Sequence, residues 1–113
     1  MSWIIRIVSR EAQKEVEALP KDLKARFLQI SGLIEIFGPL EIKLPYIKFL
    51  GAKLWEIKLT GKTTIARSVF VMLSGKEILI LNTFIKKTQQ TPLHELRLAQ
   101  ERLKRWKNGR KNT

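Results

Sequence analysis

Cysteine is absent from the 113 residues, which removes thiol catalysis, thiolate metal sites and disulfides and leans only weakly towards the cytosol. Aspartate occurs once, as Asp22, and histidine once, as His94. Two-metal hydrolysis needs several clustered carboxylates. Only Glu56 and Glu77 fall within the strands read below, so no metal and no cofactor are expected. A Ser/His/Asp relay has no support either, because His94 falls at the start of the last helix, where a solvated or capping histidine is the ordinary case. No run approaches the roughly 18 consecutive apolar residues of a membrane span. The opening Met1-Ser2-Trp3-Ile4-Ile5-Arg6-Ile7-Val8 is too short in apolar residues and too soon charged for a signal peptide. A soluble cytoplasmic protein with no membrane partner is therefore expected. With 6 Gly, 4 Pro, no internal repeat and 44% hydrophobic residues, the sequence reads as one domain over 1–113 with an ordinary core.

What is abundant is positive charge: 22 Lys and Arg against 10 Asp and Glu, a formal net charge of +12. The excess is uneven. Residues 1–37 hold six cations and five carboxylates, and residues 38–113 hold sixteen and five. Charge of this size steers encounter with polyanions, so RNA, DNA or an acidic protein is the expected partner.

The patterning predicts strand, helix, helix, three strands, helix. After a first strand, Ser9 can cap a helix with Ala12, Val16 and Leu19 on one face and Glu11, Lys14, Glu15 and Glu17 elsewhere. Pro20 suits the first turn of a second helix with the stripe Leu23, Phe27, Ile30, Ile34 and Phe37, stopped by Gly38-Pro39. A connector holding Pro39 and Pro45 leads to Leu54–Leu59, where Trp55, Ile57 and Leu59 alternate with Glu56 and Lys58 as in a half-buried strand. Thr64–Met72 and Glu77–Phe84 are apolar on both faces, as in central strands, with a hairpin loop at Ser74-Gly75-Lys76. Thr91 can cap the last helix and Pro92 open it, with Leu96, Ala99, Leu103 and Trp106 on one face. Fraying at Asn108-Gly109 leaves a basic tail over 108–113. This order predicts an α+β domain, with a helical hairpin packed on a mainly antiparallel sheet of about four strands.

Four segments in this order resemble the phage-derived, host-inhibition-type branch of the RelE/HigB toxin superfamily: Pro45–Leu50, Leu54–Lys58, Ile65–Phe70 and Phe84–Pro92. The last, Phe84-Ile85-Lys86-Lys87-Thr88-Gln89-Gln90-Thr91-Pro92, is the most specific, and the resemblance runs over residues 3–106. Gln90 and His94 depart from it, standing where the family pattern usually has Lys and a basic residue. The resemblance implies a RelE-like fold and a toxin that cleaves mRNA on the ribosome. It also implies neutralisation by a cognate helix-turn-helix antitoxin in a toxin–antitoxin hetero-oligomer. Some superfamily members instead inhibit DNA gyrase, and a plain nucleic-acid-binding module is a third reading of the charge.

RNA can be cleaved by attack of its own ribose hydroxyl on the adjacent phosphate, so the protein need only position the chain, move protons and stabilise developing negative charge. Lysine beside other cations can have its pKa lowered towards neutrality, whereas arginine stays charged and presents a planar fork to phosphate. Arg67 interrupts an apolar strand on the face of Ile65, Val69 and Val71, where it needs an anion; an ion pair with Glu56 or Glu77 is the competing role. Lys86 and Lys87 follow the last strand, with Thr88 and Gln89 as neutral hydrogen-bonding groups for RNA. Lys48 and Lys58 are acid/base or phosphate candidates, and Lys53 a weaker RNA contact. The expected catalytic set is thus Arg67, Lys86, Lys87, Lys48 and Lys58. Arg102, Lys104, Arg105 and Lys107 on the last helix are expected to hold the RNA backbone without reading sequence.

Overall fold

The computed structural model describes residues 2–42, 46–87 and 89–111, Lys111 by its backbone alone. Strand β1 covers Ile4–Ile7. Helix α1 (Arg10–Glu17) starts where expected, with extended Ser9 accepting the Ala12 N–H on Oγ at 3.1 Å. Ala12 and Val16, four residues apart, turn inward and are buried. Helix α2 (Lys21–Phe37) buries Leu23, Phe27, Ile30 and Ile34. The predicted stripe stops there: Phe37, in the last turn, is 58% exposed. Gly38 ends the helix at φ +83°, a conformation costly for any side chain, and a Cβ there would lie 2.6 Å from Trp3 Nε1. A single turn, α3 (Pro39–Ile42), follows.

The sheet has five strands, not about four. The extra one is β2 (Ile47–Gly51), inside the segment read as a connector. Of its side chains Ile47 is buried while Lys48 and Phe49 are exposed, so it carries no alternation of its own. Pairing with β3 (Leu54–Thr60) makes it an edge strand. Strands β4 (Ile65–Leu73) and β5 (Glu77–Lys86) complete the order β1-β5-β4-β3-β2, with β1 parallel to β5 and the other pairs antiparallel.

Each face of the sheet is covered. The α1–α2 hairpin lies on the face of Ile57, Leu59, Ala66, Phe70, Ile78 and Ile80. Helix α4 (Leu93–Lys111) covers Leu54, Val69, Val71, Leu79 and Leu81 with its stripe Leu96, Ala99, Leu103 and Trp106. It continues through Asn108-Gly109 to Lys111 rather than fraying there, so the expected tail is helical as far as it is described. Thr91 is not its cap. The Pro92 carbonyl accepts the N–H groups of Glu95 and Leu96, and the Thr91 hydroxyl donates to Glu56 Oε2 at 2.6 Å.

A β-bulge decides what shares a face near the end of β5. Val69 lies opposite Asn82 and Phe70 opposite Ile80, so Leu81 is an extra residue in β5. The bulge reverses the inward-outward sense of the following residues. Asn82, Phe84 and Lys86 therefore stand opposite Val69, Arg67 and Ile65 on the α4 side of the sheet.

Candidate active site

Opposed residues of antiparallel strands share a face, so the register assembles a set. Lys48 lies opposite Glu56, Lys58 opposite Arg67, and Ile65 opposite Lys86. Lys58, Ile65, Arg67 and Lys86 of this set, with Lys87 and Gln89, line a cleft of about 340 Å³; Lys48 and Glu56 are not part of its lining. Like charges directly opposite each other, as Lys58 and Arg67 are, destabilise a sheet. Such a pair is understandable where an anion is to be bound.

Arg67 and Glu56 are both buried, at 8% and 1% exposure. The Arg67 Nη1 donates to Glu56 Oε1, so of the two carboxylates expected to compete for it Glu56 holds it, and Glu77 pairs with Arg6 at 3.0 Å. The ion pair and the site coexist. Arg67 lines the cleft, and its Nε has no hydrogen-bond partner among the described residues. Glu56 itself was expected on the open side of a half-buried strand. Its face is the predicted one, but the Thr91 segment and Arg67 close over it.

At the other wall, Lys86 Nζ donates to the Gln89 carbonyl, folding the chain back along the cleft. Burial, and then the charges of Arg67, Lys48 and Lys58, lower the Lys86 pKa from the usual lysine range. The opening of α4 is pinned to the sheet at two points. Asn82 Nδ2 donates to Glu95 Oε1 at 2.8 Å, and Thr91 donates to Glu56. His94 is solvated, with its side chain 78% exposed.

The RNA-contact residues expected from the sequence are not all in one place. Gln89 and the catalytic candidate Lys87 line the cleft, and Lys53 sits exposed in the β2–β3 turn at φ +68°. Thr88 lies outside the described residues. Lys104, Arg105 and Lys107 are exposed on α4. At 1.5 Å per residue they lie roughly 16–21 Å along the helix from Leu93, away from the cleft.

Arg102 is held by an ion pair. Its guanidinium donates to both Glu15 carboxylate oxygens at 2.9 Å and to the Leu81 carbonyl at 2.9 Å, while Glu15 Oε1 accepts the Thr83 N–H at 3.0 Å. The pair occupies the edge of β5 left open where β1 ends, beside the bulge. Glu15, expected to point away from the core, turns towards the sheet for this reason. The hydrogen bond that Arg102 donates to Glu15, opposed by burial, raises the Arg102 pKa. Arg102→Ala is expected to lower stability by about 2–3 kcal/mol through its charged hydrogen bonds and to leave RNA affinity within a few-fold of wild type. Thermal unfolding and RNA titration on the same sample check both.

A helical hairpin on one face of this mixed sheet and a C-terminal helix across the other define the RelE-like fold. The fold is similar to a solved archaeal RelE–RelB complex from Pyrococcus horikoshii OT3, with a TM-score of 0.55 and 22% identity over 75% of this chain and 96% of that one. Residues 14–104 match the family described as phage-derived protein Gp49-like. The chain belongs to that family and, through it, to the RelE superfamily of toxins, as the four segments led us to expect. No curated protein matches the sequence.

Proposed function

We propose that this protein is the toxin of a toxin–antitoxin pair and inhibits translation as a ribosome-dependent mRNA endonuclease that needs no metal. The observation that carries the reading is the cleft itself, which Lys58, Arg67, Lys86 and Lys87 line together, with Lys48 near enough to act on Lys86 and Arg67 held by a buried carboxylate. Family membership supports the toxin role, and a fold neighbour seen with RelB supports an antitoxin partner. No group of three or more His, Cys, Asp or Glu able to hold a metal occurs among the described residues. No described helix is long and apolar enough to cross a membrane.

In the proposed reaction the ribose 2′ oxygen attacks the adjacent phosphorus while neutral Lys86 takes its proton. Arg67 and Lys87 stabilise the charge gathering on the non-bridging oxygens. The bond to the 5′ oxygen breaks, and Lys58 or Lys48 donates a proton to that leaving group. The products are a 2′,3′-cyclic phosphate and a free 5′ hydroxyl. The ribosome supplies the in-line placement of the mRNA that an open cleft cannot impose alone.

Expression of the chain alone is expected to arrest bacterial growth, and co-expression of an adjacent helix-turn-helix protein to relieve it. Ribosome-bound mRNA is expected to be cut, with naked RNA largely spared. Cleavage should survive EDTA once ribosome integrity is controlled for. Normal growth at verified soluble expression would remove the toxin reading, and loss of cleavage specific to metal removal would remove the metal-free mechanism.

A further inference from the structure

The geometry points to Glu56 as a positioning residue, a buried carboxylate that fixes the Arg67 guanidinium at the cleft and, through Thr91, ties the segment carrying Lys86 and Gln89 across the sheet. This inference rests on the endonuclease reading for its catalytic consequence, but not for its geometry.

Glu56 is 1% exposed, and both of its oxygens are engaged, Oε1 by Arg67 Nη1 and Oε2 by Thr91 Oγ1 at 2.6 Å. A buried ion pair adds little net stability over well-packed apolar side chains, so stability alone does not account for one at this position. What the pair supplies is direction. It holds one side of the Arg67 fork in place at the cleft wall, while the buried Nε has no partner among the described residues. Arginine on a long flexible stem would otherwise adopt several rotamers, some of them turned away from bound phosphate.

The Thr91 bond adds a second constraint. The chain leaves β5 at Lys86, and five residues later Thr91 is fastened to β3, two strands away. That span, roughly 10 Å across the sheet, carries the chain past the cleft. Within it the Gln89 carbonyl accepts from Lys86. One carboxylate therefore sets both walls of the site, the arginine directly and the lysine through the tethered segment. Both its oxygens face protein donors, so it is a positioning group and not one that touches substrate.

The test uses full-length wild type, Glu56→Gln, Thr91→Val and Thr91→Ser with two measurements. The first is the ¹H–¹⁵N signal of the Arg67 Nε–H and its exchange with solvent, which depends on no activity. The second is single-turnover cleavage of ribosome-bound mRNA. In Glu56→Gln and Thr91→Val the Arg67 signal is expected to shift and exchange faster. The cleavage rate is expected to fall by about 10²-fold in Glu56→Gln, with a smaller fall in Thr91→Val and little change in KM. Thr91→Ser, which keeps the hydroxyl, restores both signal and rate. If Glu56→Gln does not fold, the contrast between Thr91→Val and Thr91→Ser carries the same test. An Arg67 signal unmoved in the folded variants overturns the proposal whatever the ribosomes do. So does a moved signal with undiminished cleavage. A wild type that cuts nothing while the Arg67 signal responds as expected removes the endonuclease reading and leaves the positioning by Glu56 standing.

Discussion

Arg67→Ala is expected to lower stability by about 3–5 kcal/mol, because it leaves the Glu56 carboxylate buried beside an empty partner site. It is also expected to reduce cleavage by about 10²–10³-fold, the usual cost of losing one preorganised donor to developing charge. The two effects have one residue but two causes, and a second variant separates them. Replacing the pair together, Glu56→Leu with Arg67→Met, removes the unpaired charge and fills the space with apolar atoms, so most of the stability should return. The Thr91 hydroxyl, only partly buried, can then turn to water. Cleavage should stay at the level of Arg67→Ala. If the stabilised double variant regains cleavage, Arg67 serves the fold alone. Chemical denaturation and ribosomal cleavage on the same preparations give both numbers.

Lys86→Ala should do the converse, leaving the fold close to wild type while reducing cleavage by about 10²–10⁴-fold, the range for a lost general acid or base. Lys86 is only partly buried and closes no core contact that alanine would open. Lys86→Arg restores the charge but not an exchangeable proton and should remain impaired, since arginine does not deprotonate in this range. Full activity of Lys86→Arg would reduce the residue to a phosphate contact. The pH profile adds a sign. Burial, and then neighbouring Arg67, Lys48 and Lys58, lower the Lys86 pKa. Acting as a neutral base, Lys86 makes the rate rise with pH through that lowered value. Lys58→Met removes one of the cations, moves the Lys86 pKa upward, and should carry the rising limb to higher pH. A limb that stays in place or moves lower would uncouple Lys86 from the rate.

Much of the architecture was legible in residue order. The four-and-three spacings of α1 and α2, the Ser9 cap and the apolar stripe of α4 each appear in the structure where the pattern put them. Short-range periodicity reports which side of an element faces inward. It does not report what covers that side. Glu56 and Ile57 were correctly placed on opposite faces of β3, yet the strand was read as half-buried because alternation cannot show that the second face is roofed too. Strand β2 escaped for a related reason: an edge strand with one buried side chain has its identity from its partner and not from its own sequence.

By itself the sequence determined the supply of chemistry and the kind of fold: a surplus of lysine and arginine, almost no carboxylate clusters, and apolar patterns that admit an α+β domain of the RelE type. Which cations work together was decided by tertiary structure. Arg102, an unremarkable helical cation in sequence, is bound by Glu15 and by the edge exposed where β1 ends. Lys86 joins Arg67 because one extra residue at Leu81 reverses the facing of everything after it in β5. The reason is that charge is a property of each residue, whereas facing is a property of register, and register depends on a partner strand more than ten residues away.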